Sequence, residues 1–194
     1  MPRQRRTDSR PLRASRAQRK GANPWPQAVL AAVLLLGATG CYSSRSRMPD
    51  RLQTIAVPVF KNRTYIEEYT RKLEVETTEA TRRNFLQNSR LKLAGRETAD
   101  LVLEGDVTKY TRIQIRADRY GDPAEVQIYV LAQVSLYDVK EAKYLFRNRT
   151  IANYNWHPSS GSYNLRRGES EALGRERAIE DLGRNIVRLV LDHW

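Results

Sequence analysis

The sequence predicts an α+β fold in which two helices pack on one face of a mostly antiparallel four-stranded sheet, in the order strand, helix, three strands, helix. Three observations predict it. In "VQIYVLAQVSLYD", Val126, Ile128, Val130, Ala132, Val134 and Leu136 point one way, while Gln127, Tyr129, Leu131, Gln133, Ser135 and Tyr137 point the other. Strict period two marks a strand with one buried face. From Tyr65 to about Gln87 there is no Gly or Pro, and Ile66, Tyr69, Leu73, Thr77 and Ala80 recur at three- and four-residue spacing, one modestly apolar face of a helix. After Ser170 and Glu171, a second helical stripe runs through Ala172, Ile179, Leu182, Ile186, Leu189 and Val190.

The chain divides into a leader (1–40), a cysteine and tether (41–53) and one domain (54–194). The leader is basic. Residues 1–23 hold eight Arg or Lys against Asp8 alone, which is +7 of the net charge of +12. A charge of +12 by itself suggests nucleic acid, but a basic block directly before an apolar run is what holds a segment's start on the cytoplasmic side. No nucleic-acid partner is expected. Ala28 to Leu36 are all apolar, and with their flanks they reach about 17 residues, short of the ~20 that span a bilayer. Pro24 and Pro26 at the entrance oppose a long helix, so the segment reads as a signal peptide.

Small residues, Ala38, Thr39 and Gly40, precede Cys41, the only cysteine. Small side chains let an extended backbone enter a peptidase cleft, and a thiol just after the cut can carry a lipid as a thioether. The stretch resembles the bacterial lipobox, with Ala38 where leucine is commoner. It implies cleavage between Gly40 and Cys41 and lipidation of Cys41. One acyl chain such as palmitate holds a protein weakly, and two or three hold it firmly. The other reading is a buried cysteine behind an ordinary anchor helix. In the usual sorting rule an aspartate after the cysteine keeps a lipoprotein in the inner membrane; Tyr42 stands there instead, which implies the outer membrane. "YSSRSRMPD" (42–50) reads as a polar tether.

Within the domain, "TIAVPVF" (54–60) is a β-branched strand in which Pro58 implies an edge or a bulge. "LVLEGDVTKYTRIQIR" (101–116) is a long strand with Gly105 as the expected bulge or bend. Past it Thr111, Ile113 and Ile115 share one face, and Tyr110, Arg112, Gln114 and Arg116 the other. Gly121, Asp122 and Pro123 supply a hairpin turn, and "DVKEAK" a second one into "YLFRNRTIANY" (144–154). "NWHPSSGSYNLRRG" reads as a loop before the last helix.

Catalytic constellations are missing from the sequence. His157 and His193 are the only histidines, and Cys41 is assigned to lipid, so no zinc-type cluster is expected. There is no glycine-rich phosphate loop and no GxSxG elbow. The expectation is a protein that binds, with no cofactor and no metal.

Taken together, the lipobox at Cys41, "TIAVPVFKNRTY" (54–65), "ADLVLEGDVTKYTR" (99–112) and the closing "ESEALGRERAIEDLGRNIVRLVLDHW" resemble the LptE family, the lipopolysaccharide-assembly lipoproteins. The resemblance covers about 41–194. It implies two helices against a four-stranded sheet, an outer-membrane, lipid-anchored, periplasm-facing location, an LptD-type β-barrel partner and lipopolysaccharide as ligand. Another envelope lipoprotein, LpoB-like or CsgG-like, working by protein contacts in cell-wall synthesis or secretion, stays open at this point. Lipopolysaccharide carries phosphates on its sugars, and the guanidinium fork suits phosphate. Arg112, Arg116 and Arg119, at the end of one hairpin with Asp118 and Asp122 nearby, are therefore the candidate lipopolysaccharide contacts. The bland alternative is a solvated strand end.

Overall fold

The computed structural model describes residues 48–64 and 72–194. Gly40, Cys41 and the leader lie outside the described residues, as does 65–71 with Ile66 and Tyr69 of the predicted first helix. Among the described residues no helix is long and apolar enough to cross a membrane.

The described residues form β1 (Thr54–Ala56), β2 (Lys61–Asn62), α1 (Leu73–Asn88), β3 (Lys92–Leu93), β4 (Leu101–Ala117), β5 (Pro123–Asp138), β6 (Lys143–Ala152), β7 (Ser162–Asn164) and α2 (Glu171–Leu191). The α+β class holds, but the sheet has seven strands where the sequence predicts four. The additions, β2, β3 and β7, are two or three residues long and too short to show a period. The order is β3-β1-β4-β5-β6, with β2 paired to β4 and β7 to β5. Pairings of β1 with β3 and β4, and of β2 with β4, are parallel; the others are antiparallel.

Because β1 lies between β3 and β4, Pro58 does not mark an edge strand; it follows the strand's end at Ala56. The chain beyond is tied to α1. Arg82 donates to the Val57 carbonyl from Nε and Nη2 at 3.0 and 2.6 Å, and the Phe60 N–H donates to Thr78 Oγ1 at 2.9 Å. Gly105 is not a bulge either, since its register with Val134 is continuous. It makes room for Phe60: a Cβ there would stand 2.9 Å from the ring carbons. The bulge falls between Val107 and Lys109. It shifts the alternation, so Tyr110, opposite Val130, is buried, while Ile113 and Ile115 are each 46 % exposed.

Both helices cover the face formed by Val126, Ile128, Val130, Ala132, Val134 and Leu136, all buried as their period requires. In α1, Leu73, Ala80 and Phe85 are buried together with Thr77, Thr78, Thr81 and Asn84. The polar members line a close crossing: a Cβ on Gly183 of α2 would meet the Ala80 carbonyl carbon at 2.8 Å and the Thr81 nitrogen at 2.9 Å. Ser170 caps α2 by accepting the Leu173 N–H. Ile179, Leu182, Ile186 and Val190 of the predicted stripe are buried and Leu189 half-buried, but Ala172 is exposed, and Gly174, Ala178, Asn185 and Val187 complete the buried face.

Side chains pin the strand ends. Asp100 accepts the N–H groups of Gln53 and Thr54 and the Thr54 hydroxyl, and Lys140 lies 3.1 Å away. The Gln53 N–H first, then the Thr54 hydroxyl, Lys140 and the Thr54 N–H, outweigh burial and hold this carboxyl well below the usual carboxylate range. Asp138 is fully buried, and burial pushes its carboxyl up. The Arg51 hydrogen bonds and charge and the N–H groups of Glu141 and Lys140 more than offset that, leaving it lowered.

Candidate functional site

The sheet has two unlike faces. Opposite the helices the 94–99 segment and the 158–160 turn lie over it: Ala94 and Ala99 pack with Ala56, Val102 and Tyr137, and Gln127 donates to the carbonyls of Pro158 and Ser160. Between them the face is open.

At the β4–β5 hairpin end, Lys109, Thr111, Ile113, Tyr129, Leu131 and Tyr154 line a groove of about 500 Å³. The bulge after Val107 puts Lys109, Thr111 and Ile113 here, opposite Leu131, Tyr129 and Gln127. Tyr129 and Tyr154 meet edge to face at 4.9 Å, and the Tyr129 hydroxyl donates to Gln127 Oε1 at 3.0 Å. The groove is mostly apolar, which acyl chains favour over hydrated groups.

The three candidate arginines lie at this end but do not form one rim. Arg112 pairs with Ile128 and stands on the helix side, where Glu171 accepts from it at 2.6 Å and from the Tyr110 hydroxyl at 3.1 Å. Burial, then the Glu171 charge, raises the Tyr110 phenol far above its ordinary value, so it stays a hydrogen-bond donor. Arg112 thus joins the strand to the start of α2. A second register shift, between Gln114 and Arg116, turns Arg116 to the open face opposite Glu125, whose carboxylate is 3.8 Å away. The Arg116 side chain is 72 % exposed. Arg119 stacks over the Tyr120 ring at 4.7 Å and has no carboxylate partner among the described residues. Asp118 is occupied by the turn, accepting the N–H groups of Tyr120 and Asp122. Two exposed arginines therefore stand at the hairpin end, further along the strand than the groove, whose own cation is Lys109. The sequence pattern finds the arginines but not the groove, because the bulge that assembles it is invisible in the alternation.

At the opposite end of the open face, Tyr137, Tyr144, Lys143, Arg147, Glu97 and Glu104 help to line a wider groove of about 920 Å³. Nothing in the sequence pattern singles it out. Among the described residues no group of three His, Cys, Asp or Glu is placed to hold a metal ion.

The family model described as "LptE: Lipopolysaccharide-assembly" matches residues 52–190. No curated protein matches the chain. Similar solved structures include a PelC dodecamer from Paraburkholderia phytofirmans (14 % identity, 75 % of this chain and 92 % of that one, TM-score 0.44). Others are uncharacterized lipoprotein B from Nitrosomonas europaea (12 % identity, 78 % and 88 %, TM-score 0.44) and a minor lipoprotein from Acinetobacter baumannii (17 % identity, 73 % and 91 %, TM-score 0.40).

Proposed function

The chain belongs to the LptE family of lipopolysaccharide-assembly proteins, envelope lipoproteins without catalytic activity, and from that membership we propose that it is the partner and plug of an LptD-type outer-membrane barrel. Cys41, lipidated after cleavage behind Gly40, anchors it in the outer membrane facing the periplasm, and the protein handles lipopolysaccharide there. The observation that carries this reading is the family match over 52–190, which favours it over an LpoB-like or CsgG-like lipoprotein.

Surface chemistry at the hairpin end supports the ligand. An amphiphile with phosphorylated sugars and acyl chains needs exposed cations beside an apolar surface. Lys109 lines the Ile113–Tyr129–Leu131 groove, and Arg116 and Arg119 lie beyond it at the end of the same hairpin. Arg112 contributes by holding the strand to α2 and need not touch lipid.

Two measurements test the proposal. Affinity purification of the lipidated protein from membranes should recover a large outer-membrane barrel, identified by mass, and a mature chain starting at an acylated Cys41; recovery of a cell-wall synthase instead would overturn the partner. Lipopolysaccharide binding should fall several-fold in Arg116→Glu/Arg119→Glu, at about 0.2–1 kcal/mol per exposed contact. Undiminished binding by that folded variant would remove the hairpin end as the site.

A further inference from the structure

The second groove differs in chemistry from the first. Its floor is aromatic: Tyr137 and Tyr144, facing each other across β5 and β6, meet edge to face at 5.0 Å. Arg147 lies over the Tyr144 ring at 3.9 Å and has no carboxylate partner among the described residues. This placement follows from β6's irregular pairing. The register shifts between Val134 and Leu136 and again between Leu136 and Tyr137, with Asn148 at φ 48°. The strand therefore spends extra residues here and brings Arg147 over Tyr144. A guanidinium stacked on a ring keeps its in-plane N–H donors free for a second partner. Lys143, bridged to Glu141, adds a cation beside it.

Across the groove stand two carboxylates, Glu97, which is exposed, and Glu104, bridged to Arg96 at 3.0 Å. They decide the ligand class. Arg96 on the same wall is already bridged to Glu104, which leaves Glu97 to oppose a polyanion or an acidic peptide. A neutral apolar molecule would leave the Arg147 donors and the Glu97 carboxylate without partners. Aromatic rings suit the C–H face of a sugar, carboxylates accept from hydroxyls, and one forked cation takes one anionic group. The volume is in the range of small-molecule sites.

We propose that this groove binds a saccharide carrying a single anionic group, with the sugar ring on Tyr144 and Tyr137, the anion on Arg147, and hydroxyls donating to Glu97 and Glu104. The site is separate from the hairpin end and requires no acyl chain, so it goes beyond the function proposed above.

The test uses the full-length protein in detergent micelles, titrated with glucose 1-phosphate, glucuronate, glucose and inorganic phosphate while the tyrosine resonances are followed. Saturable shifts of Tyr137 and Tyr144 with glucose 1-phosphate or glucuronate, at least tenfold tighter than with glucose or phosphate alone, are expected. The tighter of the two names the anion, phosphate or carboxylate. Arg147→Ala should weaken binding at least tenfold and Arg147→Lys nearly as much, because the fork is lost. Arg116→Glu/Arg119→Glu should leave this binding unchanged, which separates its failure from failure of the lipopolysaccharide reading. Binding of inorganic phosphate as tight as that of the sugar acids, or full retention in folded Arg147→Ala, would overturn the site.

Discussion

The two faces of β5 are made from neighbouring residues of one strand and do different jobs. On the helix side Ile128, Val130, Ala132 and Leu136 have no exposed surface at all, whereas on the open side Tyr129, Leu131, Ser135 and Tyr137 remain half-buried and Gln133 is exposed. The covered face tolerates no empty volume, because its atoms have no other partners. The open face keeps aromatic, apolar and charged groups in view of solvent at a stability cost that the covered face offsets.

Truncation on the covered side should give the largest effect. Leu182→Ala in α2, at a fully buried position, is expected to lose about 2–5 kcal/mol in denaturant unfolding. A loss under 1 kcal/mol would mean that the helices are not seated as described.

A smaller loss is expected from Asn185→Ala. Asn185 donates at 2.8 Å to the carbonyls of Ala152 and Asn153, and Asn153 in turn donates to Ile128 O and accepts from the Val130 N–H. Removing the donor takes one partner from the Ala152 carbonyl, which keeps the Asn155 N–H, and the side-chain donor from the Asn153 carbonyl, at about 1–3 kcal/mol. Asn185→Asp should be at least as damaging, since it replaces the donor by a charge.

Acid probes the strand ends where the two faces meet. Asp100 and Asp138 are both held below their ordinary values, so the folded state binds fewer protons than the unfolded one. Their stabilisation is complete above about pH 4, the unfolded carboxylate value, and declines as pH falls toward the lowered values. Unfolding midpoints measured below pH 4 should drop, and Asp138→Asn should flatten the slope. An unchanged slope would assign the acid sensitivity elsewhere.

On the open face Leu131→Ser should change stability by no more than about 0.5 kcal/mol, while weakening lipopolysaccharide binding at the hairpin groove. Equal losses on both faces would abolish the distinction.

Much of the covered face was legible in advance. The alternation of Val126 to Tyr137 identified the strand and its buried side, and Ser170 with the stripe at Ile179, Leu182, Ile186 and Val190 located α2. The polar seam was not legible. The helical periods single out none of Thr81, Asn84 and Asn185, yet they are buried, because a close helix crossing at Gly183 and the carbonyls at the end of β6 require small or donating side chains there.

The sequence by itself therefore determined the α+β class, the long strands and the two helices, because each rests on a local period or a local motif. Only the tertiary structure decided the faces past Val107. Two register shifts in β4 place Arg112 with the helices and Arg116 opposite them, and they expose Ile113 beside Tyr129. A bulge depends on what the neighbouring strand accepts, and that partner's residues lie elsewhere in the chain. The short strands β2, β3 and β7 are decided the same way, because two or three residues become a strand only when a longer neighbour offers them hydrogen bonds.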